Sequence, residues 1–320
     1  MNDQHSTVDK STSCHLCCNE STNDDTTNSS TVREVDEEWT SVKQFSTETE
    51  LPYPVGITIN PDDGNVALTN ITKEAKIFSK SGECKFSFKD PPAGQAFISL
   101  LDIALNTSNR RYILPGEKEL LFYDTQGNYL DCTVGMGADS KTLAIDSLGK
   151  IIVGTTMDIG STGSQGSLSI YDEDGRFITN KSVRATPYYL DVTSNSHAVI
   201  TCYDDSVSLE NYSVHLKKLP RPKRVKLTRW APRAVCCSKQ TRDRDGEIFL
   251  VNQGDKSVYR YTADGDCLGR IISGLDCPMG MAITKDGNQL YVVEHEQSSV
   301  KIFQRPGVVT QESSAQACPI

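Results

Sequence analysis

Between residues 54 and 305, short apolar runs rich in Val, Ile, Leu, Phe and Tyr alternate with turn-forming stretches. No window sustains the three-to-four spacing of an amphipathic helix. The pattern predicts strands throughout. One unit recurs: an aromatic or β-branched strand, a turn closed by Gly, then a second strand. Its copies are "KIFSKSGECKFSF" (Gly82), "LLFYDTQGNYLDC" (Gly127), "LSIYDEDGRFITN" (Gly175), "VYRYTADGDCLGR" (Gly265) and "VKIFQRPG" (Gly307). The glycines are 45, 48, 90 and 42 residues apart, so one copy in the long step has lost its Gly. Asp, Asn and Gly in these turns tolerate positive φ, which marks each copy as a hairpin.

Two further apolar runs precede each hairpin, as in "VGITINPDDGNVALTN" and "MAITKDGNQLYVVE". Four short strands per repeat of about 45 residues is the pattern of propeller blades. Proline opens several units, at Pro54, Pro187, Pro232 and Pro278, giving six units that begin near 54, 99, 141, 187, 232 and 278. The predicted fold is therefore an all-β, six-bladed β-propeller of four-stranded blades. Only three strands remain after Cys277, so "EWTSVKQFST" just before the first unit is expected to supply the fourth and close the ring.

The openings "PVGI" (Pro54–Ile57) and "PMGM" (Pro278–Met281) and the second strands "GNVALTN" and "GKIIVGT" resemble the NHL-repeat β-propellers. The similarity is nearest to the C-terminal propeller of tripartite-motif proteins of the TRIM-NHL type. It covers about residues 40–305 and implies a substrate-recruiting propeller that works with a ubiquitin ligase, or in some members an RNA-binding one. The family's usual Asp and Asn between second and third strands are mostly replaced, as in "TNITKEAKIF" and "VNQGDKSVYRY". The chain shows none of the family's RING, B-box or coiled-coil parts.

Charge divides the chain. Residues 1–52 hold eleven acids against three bases, and the net charge is −9, so the remainder is nearly neutral. Residues 1–38, acidic and rich in Ser and Thr, are expected to be disordered, the propeller to span 39–306, and 307–320 to be a flexible tail. No apolar stretch reaches the roughly 18 residues of a membrane helix, and the start lacks a secretory h-region, so a cytoplasmic protein is expected. The eleven scattered cysteines fit reduced thiols.

On that neutral body, "KKLPRPKRVKLTRWAPR" (217–233) concentrates eight basic residues with no acid. The period places its first half, Lys217, Lys218, Arg221 and Lys223, in the outer turn of the fourth unit, where Pro220 takes the place of the missing Gly. Arg224 to Thr228 alternates as an outer strand. Arg229, Trp230 and Arg233 fall on the opposite face, in the link to the next unit. The preceding link adds Arg184, Tyr188 and Tyr189, with Lys181 nearby, and the loop "NQGDKS" adds Lys256. Cations interleaved with aromatic rings suit single-stranded RNA and equally suit protein interfaces. A protein partner is the leading expectation for Arg184, Tyr188, Arg229, Trp230, Arg233 and Lys256. RNA is the alternative, and a plain solvated rim is the third reading.

Catalysis is a lesser alternative. Asp102 and Asp191 lie on innermost strands, and Glu294, His295 and Glu296 end a second strand, as oxygen ligands would in a lactonase-like, metal-dependent propeller hydrolase. No nucleotide-binding loop and no Ser/His/Asp spacing stands out, so no enzyme activity, no cofactor, no metal and no small-molecule substrate is expected. Cys14, His15, Cys17 and Cys18 form one arm of a zinc site at most. Cys84 and Cys267 occupy matching core places of two repeats, Cys236 and Cys237 point to opposite faces, and "DIGSTGSQGS" (158–167) reads as a long flexible loop.

Overall fold

The computed structural model describes residues 38–91, 102–116, 119–132, 139–158, 164–183, 186–194, 197–202, 206–211, 223–226, 232–239 and 246–308. All of them fall in the contact unit 33–320. The predicted disordered segment, apart from Glu38, lies outside the described residues, as do the Cys14–Cys18 cluster and the tail from 309. Among the described residues no helix is long and apolar enough to cross a membrane.

The fold is all-β. After β1 (Thr40–Ser46), the strands are β2 (Pro54–Ile59), β3 (Val66–Asn70), β4 (Ala75–Phe78), β5 (Cys84–Ser87), β6 (Ala104–Asn106), β7 (Arg111–Pro115), β8 (Leu120–Tyr123) and β9 (Tyr129–Cys132). Next come β10 (Asp139–Ile145), β11 (Ile151–Asp158), β12 (Ser164–Tyr171), β13 (Phe177–Val183), β14 (Pro187–Val192), β15 (His197–Cys202), β16 (Ser206–Asn211) and β17 (Lys223–Lys226). The last are β18 (Pro232–Cys237), β19 (Glu247–Asn252), β20 (Ser257–Thr262), β21 (Cys267–Ile272), β22 (Pro278–Ile283), β23 (Gln289–Glu294) and β24 (Ser299–Gln304).

Among the described residues these strands form six four-stranded antiparallel sheets, five of them from consecutive strands beginning with β2. The sixth has the order β1-β24-β23-β22, with Thr40 opposite Gln304 and Ser46 opposite Ser299. The strand expected from "EWTSVKQFST" thus lies where the strand count placed it, as the outer strand of the last sheet. Four of the innermost strands start on the prolines that marked the repeat, because Pro lacks an N–H and suits the first residue of a strand.

The hairpin glycines have a defined job. Gly127 sits at φ 78° and donates its N–H to Asp124 O (3.1 Å), while Asp124 Oδ1 accepts from the backbone of Gln126 and Asn128. The same arrangement recurs at Asp172 and Gly175. An Asx turn followed by a left-handed residue fixes the crossing from third to fourth strand.

Apolar residues collect between neighbouring sheets, giving an inter-sheet core at each junction. Ile113 and Val153 join the second sheet to the third, Leu168 and Ile200 the third to the fourth, and Val199 and Leu250 the fourth to the fifth. Phe249 and Val292 join the fifth to the sixth, Leu68 and Tyr291 the sixth to the first, and Ala67 and Leu114 the first to the second. At the sixth-to-first junction β22 approaches β2 so closely that a Cβ on Gly280 would lie 2.0 Å from Val55 O. Only glycine fits there.

Two sequence readings are corrected. The described ends of the glycine-rich segment are strand, not loop: Asp158 ends β11 and 164–167 begin β12, paired through Asp158↔Ser164 and Thr155↔Ser167, while 159–163 lie outside the described residues. Cys84 and Cys267 do occupy matching register places, opposite Phe78 and Tyr261, but Cys84 is half-buried and Cys267 exposed. Both lie at the start of outer strands, where the second face of the sheet meets water. Cys236 and Cys237 are buried in different inter-sheet cores, as alternation requires.

Candidate functional site

Antiparallel blades divide their connections between two faces. The hairpin face carries the turns between first and second and between third and fourth strands. The link face carries the loops between second and third strands and the links to the next blade. Of the predicted binding residues, Tyr188, Arg233 and Lys256 are described and lie on the link face. Arg184, Arg229, Trp230, Lys217, Lys218 and Arg221 lie outside the described residues, and Lys223 is placed only as the first residue of β17, opposite Leu209. Lys181 belongs to β13 instead of the link that follows it.

The structure corrects the role of Tyr188. Its ring is only 4 % exposed, stands edge-on to Tyr189 at 5.0 Å, and is covered by the Arg233 guanidinium 5.0 Å from its centroid. A ring held this way packs blade four against blade five and is closed to a stacking base. Pro187, which opens β14, carries Tyr188 straight into the core; alternation alone could not tell which neighbour would cover it.

Arg233 instead begins a polar chain. Its Nε donates to Gln253 Oε1 (2.7 Å), and Gln253 Nε2 lies 3.2 Å from Cys277 Sγ. Cys277 O accepts from His295 N, and His295 Nδ1 lies 3.1 Å from Pro54 O. Tyr53 packs its ring 5.5 Å from that of His295, and its N–H donates to Ser298 Oγ (3.0 Å). The chain runs across blades five, six and one, tying two loops and three links together. Sequence reasoning missed Gln253, Asp276 and Tyr53, because each acts through residues 20 or more positions away.

Beside it, Asp276 accepts from Gln297 Nε2 (2.7 Å) and pairs with the exposed Lys256 (3.4 Å). The Gln297 hydrogen bond, and then Lys256, hold its carboxyl below the usual range. Glu294 is buried and takes up its charge locally, accepting from Lys301 Nζ (2.8 Å) and Asp276 N (2.7 Å). The backbone of this arc is left-handed at Tyr53, Lys73, Lys256, Cys277 and Ser298 (φ 42–70°). Lys256 and Ser298 directly precede a third strand and Lys73 lies two residues before one, so this is a feature of the repeat.

The channel carboxylates are also accounted for. Asp102 accepts from Ile103 N, Leu143 N and Thr142 Oγ1, and Asp191 accepts from Val192 N and Cys237 N. Each stitches its blade to the inner strand of the next. Among the described residues no group of three or more His, Cys, Asp or Glu side chains is placed to hold a metal ion. Burial raises Asp102 to about 7 and Asp191 to about 6. An unfolded Asp titrates near 3.9, so the folded protein holds these protons more tightly. Their contribution to stability is full below about pH 4 and is lost as pH rises through about 7. Asp102→Asn should therefore flatten the stability–pH curve between pH 4 and pH 7, relative to wild type, by up to about 1.4 kcal/mol per unit. Chemical denaturation at several pH values reads this directly, and parallel curves would contradict it.

Comparison with known proteins shows the fold alone. No family model and no curated protein matches the chain. Among solved structures it is similar to the WD40 domain of Neurospora crassa Pan2 (TM-score 0.54, 10 % identity, covering 87 % of this chain and 98 % of that one). It is also similar to a candidate gluconolactonase (0.60, 13 %, 86 % and 94 %) and to BBS1N in complex with ARL6DN (0.58, 12 %, 86 % and 99 %). The chain is a β-propeller.

Proposed function

We propose that the protein is a non-catalytic recognition module, a ring of six blades closed by β1, that binds a protein partner through its link face. The observation that carries this reading is the surface of the arc over blades five, six and one. Tyr53 and Ile71 are 41 % and 40 % exposed on the link face of blade one, with Tyr53 held by Ser298 and His295, and the same face carries the Lys256–Asp276 pair on loops tied by the Arg233–Gln253–Cys277 chain. Exposed aromatic and aliphatic side chains with charges of both signs match a protein surface better than a polyanion. Loops held on a rigid scaffold are where binding is usually carried.

Resemblance of the Pro54 and Pro278 openings to NHL repeats supports an NHL-type propeller that recruits a substrate to a ubiquitin ligase in the cytoplasm. The solved complex of a similar propeller, BBS1N with ARL6DN, supports protein partners in general. RNA binding is the second reading, because Arg233 shares the link face with Lys256 and lies three residues after Trp230 in the run that also holds Arg229.

The test is quantitative affinity purification with the full chain, with and without nuclease, comparing wild type with Tyr53→Ala/Ile71→Glu. Proteins retained after nuclease and lost on the double variant support the reading. Loss on nuclease treatment, with affinity falling steeply with salt, establishes the RNA reading instead.

A further inference from the structure

The hairpin face holds a feature that plays no part in the proposed interface. A pocket of about 470 Å³ opens at the mouth of the central channel, built from turns of blades one, two, five and six. That volume lies within the roughly 300–1,000 Å³ typical of small-molecule sites. Ile59, Ile283 and Cys237, at the ends of three innermost strands, give it an apolar floor.

Two residues of its wall, each largely buried, carry a donor atom with no protein partner among the described residues. Asn60 is 5 % exposed; its Oδ1 accepts from Asp62 N, and its amide nitrogen donates to nothing among the described residues. Tyr291 is also 5 % exposed, and its hydroxyl has no hydrogen-bond partner among the described residues. Burial, and then the charge of Asp286, raise the Tyr291 pKa, so the hydroxyl remains a donor. Both donors are available to a ligand acceptor.

The charged rim is one-sided. Lys80, Lys239 and Lys285 line the pocket against a single carboxylate, Asp286. That carboxylate is already engaged by Thr284 Oγ1, Asn288 N and Asn288 Nδ2. Two inward donors, lysines above and an apolar floor define the complement of one chemical class.

We propose that this channel mouth binds a small organic anion, with a sulfonate, carboxylate or phosphate against the lysines, Asn60 and Tyr291, and an apolar body on Ile59 and Ile283. The site lies on the face opposite the partner arc and stands independently of it. A suitable probe is 8-anilinonaphthalene-1-sulfonate, followed by fluorescence titration of the full chain. Its uncharged analogue N-phenyl-1-naphthylamine and inorganic phosphate alone serve as the comparison arms. Expected is one saturable sulfonate site per chain, weakened about tenfold in Lys239→Gln/Lys285→Gln and about threefold in Tyr291→Phe. It should be unchanged in Lys73→Gln/Lys256→Gln on the link face, with both comparison arms binding at least tenfold more weakly. The lysine changes are at the surface, and an unaltered melting curve confirms that they fold. Absence of a saturable site at 1 mM probe would overturn the proposal. So would equal binding of the uncharged analogue, or equal weakening by the link-face pair.

Discussion

Deleting residues 38–48 should leave a chain that no longer melts cooperatively near the wild-type temperature. β1 contributes more than the fourth strand of the last sheet. Trp39 is 3 % exposed, meets Phe249 of blade five edge-on at 5.7 Å, and donates its backbone N–H to Ile271 O. Phe45 is 7 % exposed and packs on Phe78 of blade one at 6.1 Å, so close to Gly82 that a Cβ there would lie 2.4 Å from the Phe45 Cβ. One strand therefore clamps three blades. Removing either large aromatic typically costs about 3–5 kcal/mol, and the two together approach the whole 5–15 kcal/mol of a folded domain. Deletion would also expose β24 as an unpaired edge, so aggregation on heating is expected. Phe45→Ala alone should lower stability by about 3–5 kcal/mol. An unchanged melt for either variant would show that β1 does not close the ring.

That clamp was legible in the chain because it follows from counting. Three strands after Cys277 leave one place empty, and "EWTSVKQFST" is the stretch just before the first unit. The hairpins were legible for a similar reason: the Asp-x-x-Gly turns at Asp124 and Asp172 are short-range devices whose chemistry is complete within five residues.

The site was less legible. Charge drew attention to the run 217–233, yet the described arc is organised by Gln253, Asp276 and Tyr53, which carry no pattern. Their roles depend on which loops the ring brings together. Tyr188 shows the limit of counting charge and rings on one face: period and face were read correctly, but burial was set by Arg233, 45 residues away. The anion pocket is the extreme case. Asn60, Lys239 and Tyr291 come from three separate sheets and line one pocket only when the first sheet meets the fifth and sixth.

Glu247→Ala should cost about 3–5 kcal/mol, the range for breaking a buried ion pair by removing one partner. Glu247, at the start of β19, has a side chain 14 % exposed and accepts from both terminal nitrogens of Arg305 at 2.8 and 2.9 Å. Arg260 lies 3.6 Å from the same carboxylate. The Arg260 and Arg305 side chains are only 11 % and 10 % exposed, so removing Glu247 takes the shared carboxylate from two guanidiniums in a largely desolvated space. Arg305 also lies over the Trp39 ring at 5.5 Å. The defect therefore spreads from the blade five–six junction to the closing strand. With roughly 2–4 °C per kcal/mol for a domain of this size, the melting temperature should fall by about 6–20 °C. Arg305→Met should cost less, because Glu247 keeps Arg260. Combining Glu247→Met with Arg305→Met should recover part of the loss seen for the glutamate alone, since one uncompensated charge is removed with its partner. Screening does little inside a packed junction, so 1 M salt should not restore the Glu247→Ala variant. A loss below about 1 kcal/mol, the range of exposed pairs, would place this cluster at the surface and remove it from the account of how the ring is locked.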